Sequence, residues 1–88
     1  MKYVVLKHKS GVLMPVIFPE HVTHSTVKID DCVADSAGFF AIKNGITILD
    51  EGSESLKLSP NKERDEQLIV ATLMNMGIYA FVVYNHEK

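Results

Sequence analysis

The chain has 88 residues and a formal net charge of −2, which is enough chain for one modest hydrophobic core, so we predict a single globular domain over residues 1–88. This mildly acidic balance gives no general attraction to nucleic acid or to anionic membranes, and we expect neither as a partner. Cys32 is the single cysteine, which excludes an internal disulfide. The apolar stretch between the N-terminal lysines is too short for a signal-peptide core, so we expect a cytoplasmic protein.

The first element in chain order is a predicted β-hairpin. Apolar runs at residues 3–8 and 12–18 are joined across Ser10 and Gly11, a spacing typical of two strands and a tight turn. Pro15 interrupts the second run and has no N–H to donate to a central ladder. The second strand is therefore predicted at a sheet edge or with a bulge.

A second hairpin is predicted after a less regular segment. Residues 20–35 show weak periodicity, and we expect one short helical turn followed by an irregular crossing there. Asn44 and Gly45 then separate residues 38–43 from residues 46–50, which is typical of a two-residue turn. That turn would place Ala41 opposite Ile48 and leave both faces of the sheet substantially apolar, so each face needs a cover.

The uncharged residues 68–84 are open to two interpretations. As one helix they only just reach the length needed to cross a bilayer. Ser59 and Pro60 instead resemble an N-cap and a first helical residue, and Gly77 resembles a stop. β-branched and aromatic residues dominate after Gly77. We therefore predict a helix over about residues 60–76, a C-terminal strand over residues 78–84, and no membrane segment.

The second half of this helix is apolar nearly all round. On a helical projection one stripe suits packing against the sheet, whereas Val70, Ala71 and Met74 point away from it. The segment at residues 20–35 and the first hairpin could cover these side chains. The alternative is a contact surface for another protein or a second copy, because contiguous exposed apolar patches commonly mark such contacts.

Residues able to carry chemistry are few. His21 and His24 lie three positions apart and could share a metal with His8 or Cys32, but zinc sites generally need three or four protein ligands. We predict no metal and no cofactor, with one histidine bonded at the end of a loop and the other solvated. Ser53 and Ser55 have no recognisable general base beside them, and turn formation explains them. No catalytic residue is predicted.

Short motifs occur at His24, at residues 36–39 (SAGF), at residues 52–58 (GSESLKL) and at the Ser59 helix start with Asp65. Together, over roughly residues 13–73, they resemble small uncharacterised proteins encoded by phages and prophages. The match is poor at residues 27–35. The resemblance implies a phage or mobile-element origin and a host-cytoplasm setting, and it transfers no catalytic residue.

The sequence thus predicts an α+β fold: an antiparallel sheet of about five strands, built from two hairpins and the C-terminal strand, with one main helix on one face. The predicted function is a small non-enzymatic protein-interaction module, phage- or prophage-associated, that forms a homodimer or binds another protein. The alternative from a different class is a small hydrolase or metal-binding protein that uses His24, Ser53 and Ser55.

Overall fold

The fold is an antiparallel sheet with one helix packed against it. The computed structural model describes residues 1–42 and 45–76. The strands are β1 (Lys2–His8), β2 (Leu13–Phe18), β3 (Cys32–Ile42) and β4 (Ile46–Ile48), the helix is α1 (Lys62–Asn75), and a short 3-10 helix (His24–Thr26) precedes β3. The strand order is β2-β1-β3-β4. The predicted α+β architecture is confirmed, with four described strands against about five expected; the predicted strand at residues 78–84 lies outside the described residues.

The first hairpin forms as predicted. β1 and β2 pair in antiparallel register, with Val5 opposite Pro15. Gly11 has a φ of 95° in the connecting turn, where its N–H donates to the His8 carbonyl at 2.8 Å. A side chain at this φ would be strained, so glycine suits the position. β2 lies at one edge of the described sheet, which confirms the inference from Pro15.

The predicted register of the second hairpin is wrong by one residue. Ile42 pairs with Ile46, Ala41 with Thr47 and Phe40 with Ile48. Three residues therefore separate the paired ends, one more than a two-residue turn allows. Gly45 has a φ of 109°, and a residue with positive φ at the end of a three-residue connection is a common hairpin solution. The shift places Phe40, Ile46 and Ile48 together beneath the helix.

The segment at residues 20–35 holds one short helical turn, as expected, but its last part is not irregular. The 3-10 helix begins at His24, and β3 begins at Cys32, where it pairs with His8 of β1. A register shift between Val5 and Leu6 lets β3 follow β1 along its whole length. The pairing with β1 is a long-range contact, and local periodicity did not indicate it.

The helix starts later than the sequence indicated. Asn61, and not Ser59, is the N-cap residue, and its side chain makes no capping hydrogen bond. Instead, the backbone N–H of Asn61 donates to Asp65 Oδ2 at 2.9 Å. A carboxylate that reaches back to a free N–H at a helix start satisfies a donor that has no partner within the helix. This bond fixes the first turn at Lys62.

Both faces of the sheet are covered, as its two-sided apolar pattern required. Helix residues Ile69 and Leu73 pack on one face against Tyr3, Val5 and Phe40. On the other face, a second cluster of buried residues is covered by the connections before β3 and before α1. That cluster contains Val4, Leu6, Phe18 and Ala37, packed against partly buried residues that include Val22, Val27, Leu56 and Leu58.

Candidate functional site

His24 is a buried histidine held by the fold. Its Nε2 lies 2.9 Å from the Gly38 carbonyl oxygen, which can only accept, so Nε2 carries the hydrogen. The rings of Phe18 and Phe39 meet the imidazole edge-on, with centroids 5.4 and 5.2 Å away. His21 is exposed. The two histidines therefore occupy different environments, and His24 ties the 3-10 helix to β3.

Ser53 and Ser55 lie in a turn that borders the same cleft as His24. The cleft is about 630 Å³ and is lined mainly by polar side chains. Ser53 Oγ accepts the Leu56 N–H at 3.2 Å and lies 3.3 Å from Ser55 Oγ. Among the described residues no hydrogen bond joins His24 to either serine. The structure thus brings these three residues to one cleft without forming the nucleophile–base pair that serine catalysis needs.

Potential metal ligands are dispersed. Within residues 1–42 and 45–76, no group of three histidine, cysteine, aspartate or glutamate side chains could hold a metal ion. His24 uses Nε2 for Gly38, and Cys32 is a partly buried free thiol on β3. The described residues therefore offer no first coordination sphere for zinc.

The most concentrated polar cluster is centred on the fully buried Asp65, which the sequence placed in a motif at the helix start but did not predict to be buried. Tyr3 Oη donates to Asp65 Oδ2 at 2.6 Å, and Ser36 Oγ donates to Oδ1 at 2.9 Å. Arg64 donates to Oδ1 through Nε and Nη2 at 3.2 and 3.1 Å, and through Nη1 to Asp35 Oδ2 at 2.6 Å. Every neighbour of the Asp65 carboxylate is a donor, the arrangement that suits an ionised acid.

The cluster is a structural anchor. Burial raises the pKa of Tyr3 well above the ordinary tyrosine value, and the hydrogen bond to Asp65 and the negative charge of Asp65 raise it further. Desolvation lowers the pKa of Arg64, but the hydrogen bonds to Asp35 and Asp65 and their negative charges together raise it by more than that. The net pKa lies above the ordinary arginine value, so the guanidinium stays charged. No buried polar side-chain atom in the described part of the chain lacks a partner. A saturated cluster of this kind joins α1 to β1 and β3 and leaves no group free to react.

Replacing Tyr3 with phenylalanine is expected to remove a source of alkaline instability. The folded-state pKa of Tyr3 is raised, so its contribution is complete below pH of about 10 and is lost as pH rises above that value. Urea unfolding followed by circular dichroism should show a steeper fall in unfolding free energy above pH ~10 for the wild type than for Tyr3→Phe. If the unfolding free energy of the two proteins fell equally steeply above pH ~10, the ionisation of Tyr3 would not contribute to alkaline unfolding. At neutral pH, the free energy of unfolding of Tyr3→Phe should be about 1 kcal/mol lower than that of the wild type.

The residues predicted for an interaction surface lie on α1. Val70 is partly buried and packs against the first core cluster, whereas Ala71 and Met74 are exposed. The helix turns Thr72, Leu73 and Met76 towards a different feature, an apolar groove. A contact through Val70, Ala71 and Met74 stays a prediction.

The groove runs between the C-terminal half of α1 and the sheet, where β2, Met1 and the end of β3 line it, and it is about 500 Å³. No lining side chain is charged. The hydroxyl of Thr72 already donates to the Leu68 carbonyl at 2.9 Å, so it needs no outside partner. Its lining residues are Met1, Pro15, Val16, Ile17, Phe40, Ile42, Thr72, Leu73 and Met76.

The rim of the groove is itself apolar and exposed. The relative exposures of Met1, Ile42 and Met76 are 41, 43 and 63%. Contiguous exposed apolar surface of this kind commonly marks a contact site. Sequence periodicity could not reveal it, because the lining comes from two strands, from Met1 before β1 and from the end of the helix. For Asp65 a signal existed, since it falls on the same helical stripe as the buried Ile69 and Leu73.

Comparisons with protein-family models, with curated proteins and with solved structures found no match. The resemblance to phage and prophage proteins therefore stays a prediction from the sequence. No helix among the described residues has the length and apolar character needed to span a membrane.

Proposed function

We propose that this chain is a small non-enzymatic protein-interaction module and that it associates with a second copy of itself through the apolar groove. The supporting observation is that an uncharged groove and an exposed apolar rim lie side by side on one surface. In a two-fold symmetric contact, the same patch serves both copies, and the rim of each fills the groove of the other. Met1, Ile42 and Met76 supply the side chains that such a contact needs.

The chemistry of the groove selects an apolar partner. It offers no charged side chain and no unpaired hydroxyl, so a charged or strongly polar partner would lose hydration there without compensation. The exposed rim of a second copy meets this requirement. Phage association is part of the proposal only through the sequence resemblance. A cytoplasmic setting is part of it through that resemblance and through the short apolar stretch near the N-terminus.

A charge at the rim is expected to abolish self-association. Ile42→Asp places a carboxylate against the partner's apolar surface, and we expect the dimer Kd to rise about a hundredfold or more, because burying an unpaired charge is costly. Sedimentation velocity over a range of concentrations measures the change. Circular dichroism confirms that each variant is folded.

Two control variants locate the surface. Val33, also on β3 and 65% exposed, is not a lining residue, so Val33→Asp should dimerise like the wild type. Met74→Asp tests the outer side of α1. A wild type that is monomeric at high concentration would refute the proposal, as would dissociation by Met74→Asp but not by Ile42→Asp.

The alternative of a small hydrolase or metal-binding protein has one observation in its favour, because His24, Ser53 and Ser55 border one cleft. The hydrogen bonds of these residues are directed to the fold itself, to Gly38 and Leu56. We therefore prefer the interaction module.

A further inference from the structure

The groove reaches the backbone edge of β2. Three consecutive residues, Pro15, Val16 and Ile17, all line it, although successive side chains of a strand point to opposite faces. The backbone of β2 therefore lines the groove together with its side chains, and no described strand pairs with the other, open side of β2. Two modes of contact compete there: packing of side chains into the groove, and addition of a strand to the edge.

The register identifies the backbone groups that face this open side. The His8 N–H donates to the Val12 carbonyl at 2.9 Å, so these two residues form a hydrogen-bonded pair. Bonded and non-bonded pairs alternate in an antiparallel ladder. Val5 and Pro15, three steps along the register, therefore form a non-bonded pair. Residues of such pairs direct their N–H and C=O groups away from each other, so the backbone of residue 15 faces outward.

Pro15 has no N–H, and it occupies the middle of the three outward-facing positions of β2, between Leu13 and Ile17. A strand laid along this edge would find no donor at the centre of its ladder. We propose that Pro15 is a specificity-determining residue of the contact surface: it bars strand addition at the edge of β2, so a second copy binds by packing side chains into the groove. The nature of the partner rests on the proposed function, whereas the block at the edge rests on the register alone.

The block decides which contact two copies can use. Side-chain packing in the groove and a symmetric pair of β2 strands would each close at two copies about a two-fold axis, but only the strand pair needs backbone donors on the outer side of β2. A donor restored at position 15 would supply one hydrogen bond from each copy in such a symmetric strand pair. Two such bonds correspond to about a tenfold or greater gain in association constant.

The test separates two differences between proline and valine at position 15, the absence of an N–H donor and the presence of the pyrrolidine ring. The full 88-residue chain is made by chemical synthesis with Pro15→Val in two forms, one with valine and one with N-methylvaline. The side chain is the same in both, but only valine has an N–H. Sedimentation velocity should show dimerisation at least tenfold stronger for the valine form than for the N-methylvaline form. The N-methylvaline form should behave like the wild type.

Equal association of the two forms would overturn the block at the edge. Met14→Val is the matched control, because Met14 lies in a hydrogen-bonded pair and its N–H already faces β1. The Met14→Val substitution raises strand propensity without adding an outward donor, so this variant should dimerise no more strongly than the wild type. If the valine form does not fold, Pro15→Ala with alanine or N-methylalanine repeats the comparison. A monomeric wild type would refute the proposed dimer, yet the contrast between the paired forms would still report on Pro15.

Discussion

Asp65→Asn is expected to lower the free energy of unfolding by roughly 3 kcal/mol, because it removes a buried charge whose partners are all donors. An asparagine amide nitrogen in the place of Oδ2 would face both Tyr3 Oη and the Asn61 N–H, which donate to that oxygen in the wild type. Arg64 would also lose a charged partner beside it. Urea unfolding at neutral pH measures the loss.

Glu66→Gln is the control for this substitution. Glu66 is the next residue of α1 and is exposed, so the same chemical change there should alter stability by less than about 0.5 kcal/mol. If the two variants are equally stable, the Asp65 cluster contributes nothing as an anchor. A large loss at Asp65 alone shows that the attachment of α1 depends on this carboxylate.

Ile69→Ala is expected to cost about 3 kcal/mol, because Ile69 is fully buried between α1 and the sheet and its truncation leaves a cavity. Met74→Ala is the matched change on the same helix, at an exposed position, and alanine is the better helix former. Thermal unfolding should separate the two clearly. Similar melting temperatures would contradict the assignment of Ile69 to the core.

Local signals predicted the parts of the fold that depend on neighbouring residues. The first hairpin follows from its turn and from the alternation of its strands, and Pro15 correctly placed β2 at an edge. The helical projection predicted a stripe of Leu68, Ile69, Thr72, Leu73 and Met76 facing the sheet, and Ile69 and Leu73 do pack on it. These features are decided within a few residues, where periodicity is informative.

The errors arose where distant residues decide the outcome. A two-residue and a three-residue turn fit Asn44 and Gly45 equally well, and the packing of Phe40 and Ile48 beneath α1 accompanies the longer one. The helix start depends on Asp65, which is also held by Tyr3 and Ser36 from two strands. The Asp65 cluster and the groove both need residues that meet only after folding. Sequence reasoning instead gave weight to His24 and Ser53, whose hydrogen bonds serve the fold.

The bond between Tyr3 and Asp65 joins residues that are 62 positions apart, and it sets an order of events during synthesis. β1 is made first, yet it lies inside the described sheet between β2 and β3 and needs α1 to cover one face. At roughly 5 to 20 residues per second, the ribosome delivers the helix several seconds after the strand. Until then β1 has no cover on that face. The nascent chain therefore cannot complete its core stepwise, and we expect it to fold after α1 has left the ribosome.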